Sequence, residues 1–198
     1  MLERKIVNGR VTYSINVSKT YDNVDVVPIS IGPNFSENLR TDMEALIIPP
    51  TIQQIDDTFW NCNRLVEFHV HPANNSFISD SNGVLYSHDM KTLFRVPPAF
   101  KGVYTLPKET TQIAPHAFCS CNNISEVILH DGLESIGINA FYDCSTKVPI
   151  NIPDSLTVFM GCTMESTTNK NLHFRTHFIY KSKTYAYEGI SKLFNVTK

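Results

Sequence analysis

The chain has 198 residues, 42% hydrophobic and 18% charged, with 17 Lys and Arg against 19 Asp and Glu and a pI near 6.4. A chain of this length folds as one domain that buries roughly 70% of its unfolded surface, so it needs no covalent staples. The charge balance excludes the basic footprint of a nucleic-acid binder, and no run of about 18 apolar residues offers a membrane span.

In chain order, Met1-Leu2-Glu3-Arg4-Lys5 carries charge but no apolar stretch, so no signal peptide is expected here. Residues 1–42 do not repeat and are expected to form an N-terminal β cap. Val7, Val11, Tyr13, Ile15 and Val17 alternate with polar residues around Asn8-Gly9, a two-residue hairpin signal. Val24 to Ile31 predicts another strand, broken by Pro28, and Gly32-Pro33-Asn34 predicts a loop.

From residue 43 the chain repeats itself. Ile48-Pro49 is followed by Ile55, Phe59 and Cys62; Leu106-Pro107 by Ile113, Phe118 and Cys121; Leu129 by Ile136, Phe141 and Cys144; and Ile152-Pro153 by Phe159 and Cys162. Each Phe precedes its Cys by three residues, and in the first three segments an Ile follows the strand-ending Ile or Leu by seven. Apolar-x-apolar triplets begin at Leu46, Phe68, Tyr104, Val127, Ile150 and Leu172, at steps of 22, 36, 23, 23 and 22 residues. Such a triplet cannot bury its apolar side alone, but stacked triplets form a parallel sheet over a shared core. Pro then ends the strand because it has no N–H for the ladder. The repeat core is therefore expected at Ile55, Phe59, Cys62, Ile113, Phe118, Cys121, Ile136, Phe141, Cys144, Phe159 and Cys162.

The pattern Leu-Pro, Ile, Ala-Phe-x-x-Cys, Ile, best kept from Leu106 to Cys144, resembles the BspA-like leucine-rich repeats. The segment within 75–103, Asn82-Gly83-Val84-Leu85-Tyr86 followed by Lys91-Thr92-Leu93 and Val96-Pro97, resembles the β-hairpin often placed between such repeats. The resemblance covers residues 43–162. It implies a β-rich solenoid, with short parallel strands stacked on one face and irregular or short helical returns on the other. The hairpin is expected to lean on the coil through Val84, Tyr86, Leu93 and Phe94. Residues 163–198 are expected to supply a last strand and a C-terminal cap, which covers the open sheet edge.

Cys62, Cys121, Cys144 and Cys162 recur at the repeat period, not at the short spacing of a zinc site, and predict a ladder of buried thiols. Cys119 is the one thiol expected outside that ladder, exposed. Five Asn-x-Ser/Thr sequons occur, at Asn16, Asn34, Asn74, Asn123 and Asn195. No nucleophile elbow, His-Glu-x-x-His or phosphate loop is present, and Asp56-Asp57 reads as a solvated turn, so no catalysis, metal or cofactor is expected. The outward stripe Ile47, His69, Thr105, Ile128, Asn151 and His173, flanked by Glu67, His71, Glu126 and His130, is the candidate contact surface. His69 and His71 alternate in a way that could hold a metal, but a solvated strand face is the favoured reading. The resemblance implies an adhesive or protein-binding module of bacterial or protist surface proteins. It would attach to a host or matrix protein, at the cell surface or secreted. The alternative is a structural or assembly subunit of a virion or surface appendage, placed in the virion or the cytoplasm.

Overall fold

The computed structural model describes residues 2–15, 19–21, 24–26, 28–32, 35, 42–56, 59, 62–161 and 176–194. Within them the chain winds as a β-solenoid with a front ladder and a return ladder.

In the front ladder, Ala45–Ile48 pairs in parallel with Glu67–Val70, setting Leu46 beside Phe68 and Ile48 beside Val70. Gly102–Thr105 pairs in parallel with Ile124–Ile128, setting Tyr104 beside Val127. Leu46, Phe68, Tyr104, Val127 and Ile150 are all buried, so alternation sends the first residue of each described triplet into the core. The strand ends at or one residue before the third residue, where the chain turns toward the return side. Leu172–Phe174 lies outside the described residues. The partner of Ile150–Asn151 is Phe178–Ile179, so the last front step is 28 residues.

The returns, expected as irregular or short helical, are short strands of two residues, or four in the hairpin, followed by turns. Val158–Phe159, Ser135–Ile136, Gln112–Ile113 and Thr92–Arg95 form a parallel run, and Leu85–Ser87 and Phe77–Ser79 extend it antiparallel. The turns stack as well. The N–H groups of His116, Phe118 and Ser120 donate to the carbonyls of Ile138, Ala140 and Tyr142 in the next coil. That geometry needs left-handed backbone at His116, Ser120, Asn139 and Asp143, with φ between 50° and 59°. Asn, Asp and His tolerate this region better than most residues.

These stacked turns correct one expectation. Cys119 is not exposed: it is 1% accessible, and all of residues 117–121 are buried. Simple alternation fails there because the next coil pairs with one side of the turn and Arg95, from the coil before, reaches the carbonyls of His116 and Cys119. Cys62, Cys121 and Cys144 are buried as expected, while Cys162 lies outside the described residues. Cys121 Sγ donates to the Val96 carbonyl at 3.6 Å and Cys144 Sγ to the Cys121 carbonyl at 3.5 Å. Each thiol thus faces the coil before it. Burial pushes the Cys121 thiol up to about 12 and the Cys144 thiol well above its ordinary value. Both are apolar packing groups, not nucleophiles.

Strands from the first 31 residues take places in both ladders. Arg10–Ile15 pairs in parallel with Ala45–Ile48, and Ser30–Ile31 in parallel with Gln54–Ile55. Leu2–Val7 folds back on Arg10–Ile15 through Asn8-Gly9, whose φ angles of 50° and 78° suit a tight hairpin. Glu44 ties this end together. Its carboxylate accepts from the Val11 N–H at 3.0 Å and pairs with Arg64. The Val11 N–H and then Arg64 hold the Glu44 carboxyl below its ordinary value of 4.5. A lowered folded-state value contributes stability above the unfolded value, lost as pH falls through the folded one. Acid titration followed by circular dichroism is therefore expected to weaken the wild-type protein below the ordinary carboxylate range, and Glu44→Gln to flatten part of that slope. An unchanged slope in the variant would remove this account.

Two hydrophobic clusters fill the coil. One runs from Tyr13 and Leu46 to Phe68 and Leu85; the other runs from Val84 and Tyr86 through Phe118 and Phe141 to Phe178 and Ile190. The hairpin joins them. Val84, Tyr86 and Leu93 are fully buried and Phe94 half-buried, as expected of a hairpin that leans on the coil. The Tyr86 and Tyr104 hydroxyls share a buried hydrogen bond of 2.9 Å, so each satisfies the other. The Phe68 N–H donates to the Gly83 carbonyl at 2.9 Å, and the Val70 N–H to Ser79 Oγ at 3.1 Å. The hairpin therefore occupies the edge of Glu67–Val70, where a further front strand would pair. At the far end, Lys183–Ala186 turns back on His177–Tyr180, and the helix Tyr187–Phe194 packs Ile190 and Phe194 against the second cluster.

Candidate functional site

The outward row is set by register. Glu67 stands beside Ala45 and His69 beside Ile47; Val103 stands beside Glu126 and Thr105 beside Ile128; Asn151 stands beside Ile179. His69, Thr105, Ile128 and Asn151 are exposed, Ile47, Glu67 and Glu126 half-buried, and His173 lies outside the described residues. The hairpin interrupts the row, so Glu67 and His69 form one group and Thr105, Glu126 and Ile128 another.

In the first group Glu67 is the hub. It pairs with Arg10 from the N-terminal hairpin and with His69 Nε2 at 3.2 Å. Partial burial works against its charge, but Arg10 and His69 outweigh it and hold the carboxyl below the usual carboxylate range. Arg10 was not legible as part of this surface, since only the parallel pairing of its strand brings it there. The second group adds Val103, 53% exposed, to Ile128, 42% exposed. Two apolar side chains thus stand in water on a rigid sheet.

His71 and His130 have turn duties. His71 Nδ1 accepts from the Ala73 N–H at 3.1 Å. His130 Nε2 lies 2.9 Å from the Pro107 carbonyl and 3.1 Å from the Thr110 carbonyl. Both contacts are acceptors, so that nitrogen carries the proton. Asn74 does the same two coils earlier: its amide donates to the Pro49 and Ile52 carbonyls at 2.8 and 2.9 Å. A polar side chain from the following coil thus closes the turn after Ile48-Pro49 and after Leu106-Pro107. Asn74 also accepts from the N–H groups of Ser76 and Phe77 and is 1% exposed, so its sequon is sealed. Asn123 is exposed, and Asn16, Asn34 and Asn195 lie outside the described residues.

Beside Asn151 an open cleft of about 670 Å³ is lined by His130, Asp131, Asn151, Asp154, Ile179 and Lys181. Among the described residues no three His, Cys, Asp or Glu side chains converge as metal ligands. Asp56 is exposed and accepts from Gln54 Nε2 at 2.8 Å, while Asp57 lies outside the described residues.

Residues 102–197 match the model of the BspA type leucine rich repeat region, in 6 copies. That part of the chain is a BspA-type leucine rich repeat region. Its fold is similar to a leucine-rich repeat protein from Eubacterium ventriosum, with a TM-score of 0.60 and 22% identity over 67% of this chain and 35% of the other. It is also similar to the pneumococcal vaccine antigen PcpA, with a TM-score of 0.54 and 31% identity over 59% of this chain and 29% of the other. The chain thus spans about a third of the length of these two proteins. No curated protein matches it. Among the described residues no helix is long and apolar enough to cross a membrane.

Proposed function

We propose that the chain is a non-catalytic protein-binding module that works in adhesion at a cell surface, and that the outward row of the front ladder is its contact face. The observation that carries this reading is the pair Val103 and Ile128, exposed on adjacent strands whose opposite sides are closed by Tyr104 and Val127. The fold does not need these two side chains in water. Thr105 and Glu126 flank them, and the cleft beside Asn151 gives a partner side chain a recess. Leucine-rich repeat solenoids present such a strand-lined face to partners. The similarity to a vaccine antigen supports a surface location.

The test is capture of immobilised extracellular-matrix proteins by the wild type and by the double variant Val103→Glu, Ile128→Glu. Capture is expected to fall about tenfold or more, with the thermal midpoint unchanged. Undiminished capture by the variant would sink the reading. A second reading, an assembly subunit, is favoured by one feature. Leu2–Val7 is an edge strand with Ile6 70% exposed, and such edges invite pairing. A concentration-independent oligomer in sedimentation would support it over the first.

A further inference from the structure

On the return side, between the Gln54–Ile55 strand and the hairpin, lies a cavity of about 320 Å³. Ile55, Phe59, Leu85 and Phe94 give it apolar walls, and Arg95 and His116 add polar groups. A volume above roughly 300 Å³ with mostly apolar walls and a few polar groups is the usual form of a small-ligand site.

Arg95 is the unusual member. It is 3% exposed, yet among the described residues no carboxylate pairs with it. Its two terminal nitrogens donate to the His116 and Cys119 carbonyls at 2.6 and 2.7 Å, and Nε has no hydrogen-bond partner. The other described arginines behave in the opposite way. Arg4, Arg10 and Arg64 are about half exposed, and each pairs with an Asp or Glu. So among the described residues the arginines that water could serve have counter-ions, and Arg95, which water cannot serve, has none. Carbonyls accept from its two terminal nitrogens but leave Nε unpartnered and its charge uncompensated, which is costly in a dry interior. Asp56 lines the same cavity, but it is exposed and engaged by Gln54. Burial and then Arg95 lower the value of His116, which works against a second cation there.

We propose that this cavity binds an apolar group bearing a carboxylate, with the carboxylate facing Arg95 and the apolar body against Phe59, Leu85 and Phe94. A small free acid and the C-terminal residue of a peptide share this chemistry. The site lies on the return side, so it is independent of the contact face proposed above.

The experiment is calorimetric titration of the full chain with hydrocinnamate, its uncharged amide, and a short peptide ending in leucine with a free or an amidated terminus. Arg95 itself is a poor test residue, because its loss strands two buried carbonyls. Asp56→Asn is the better variant: it removes the competing negative charge at the rim and leaves the core alone. The expected result is saturable binding of a carboxylate form at millimolar or tighter affinity, about tenfold weaker binding of its amide, and several-fold tighter carboxylate binding in Asp56→Asn. Tighter binding of hydrocinnamate than of the peptide assigns a small acid, and the reverse a chain terminus; either upholds the proposal. No saturation by any probe up to about 10 mM, equal binding of acid and amide, or no change in Asp56→Asn overturns it.

Discussion

Gly83→Ala is expected to lower the stability of the protein by about 3 kcal/mol, the sum of a left-handed backbone and an overpacked contact. Gly83 has φ +71°, and a Cβ built there would stand 2.4 Å from Glu67 Cβ and 2.6 Å from Glu67 Cα. Neither can yield easily, since Glu67 belongs to a paired front strand whose neighbour Phe68 donates its N–H to the Gly83 carbonyl. The hairpin tip would have to lift, exposing that N–H and loosening the Asp80 turn, where Asp80 Oδ1 accepts from Asn82 and Val84. Gly9→Ala is the control: Gly9 also has a positive φ, +78°, but nothing lies within 4 Å of its added Cβ. It should cost only the backbone part, about 1–2 kcal/mol. Denaturant midpoints measure both. Equal losses would mean that the close approach to Glu67 contributes nothing.

Phe141→Ala is expected to cost still more, about 4 kcal/mol, from lost transfer energy and the cavity left behind. Phe141 is 1% exposed and sits between Phe118, stacked at 4.7 Å and 8°, and Phe178, edge-on at 5.4 Å. It therefore connects the repeat column to the C-terminal strand. Phe141→Leu, which fills much of the same space, should cost about 1.5 kcal/mol or less. Ile128→Ala on the outer face should stay within about 0.5 kcal/mol. The contrast is read from midpoints at constant denaturant slope. A Phe141→Ala loss no larger than that of Ile128→Ala would show that the column is not the core.

The repeat core was legible because Phe59, Phe118, Phe141 and Phe159 keep one offset to a cysteine, and a fixed offset survives even where a repeat loses a residue. The hairpin's burial was legible because Val84, Tyr86 and Leu93 are too apolar to stand in water. The return strands were not, since two residues are too few to display alternation. Nor was the part that Tyr13 and Ile31 play in the ladders, because their coil has none of the Phe-Cys signature and is recognised only by its pairing. On the candidate surface, alternation placed His69, Thr105, Ile128 and Asn151 outward. It could not foresee His130 folding down onto the Pro107 and Thr110 carbonyls, since a backbone acceptor leaves no mark in the sequence. Arg95 was missed for the same reason: a charged residue in a hairpin reads as solvated unless the carbonyls that hold it are seen.

The two hydrophobic clusters meet at the hairpin, with Phe77 and Leu85 on one side and Val84, Tyr86 and Leu93 on the other. A molecule pulled along its axis would not resist evenly. The coils on each side are tied by stacked backbone pairing, whereas the junction rests on the hairpin, whose Gly83 and Ser79 accept from Phe68 and Val70, and on the Ala99 N–H that donates to the Leu65 carbonyl. Tension between the ends would concentrate there, and the first extension step would separate two still-folded halves before either unravels.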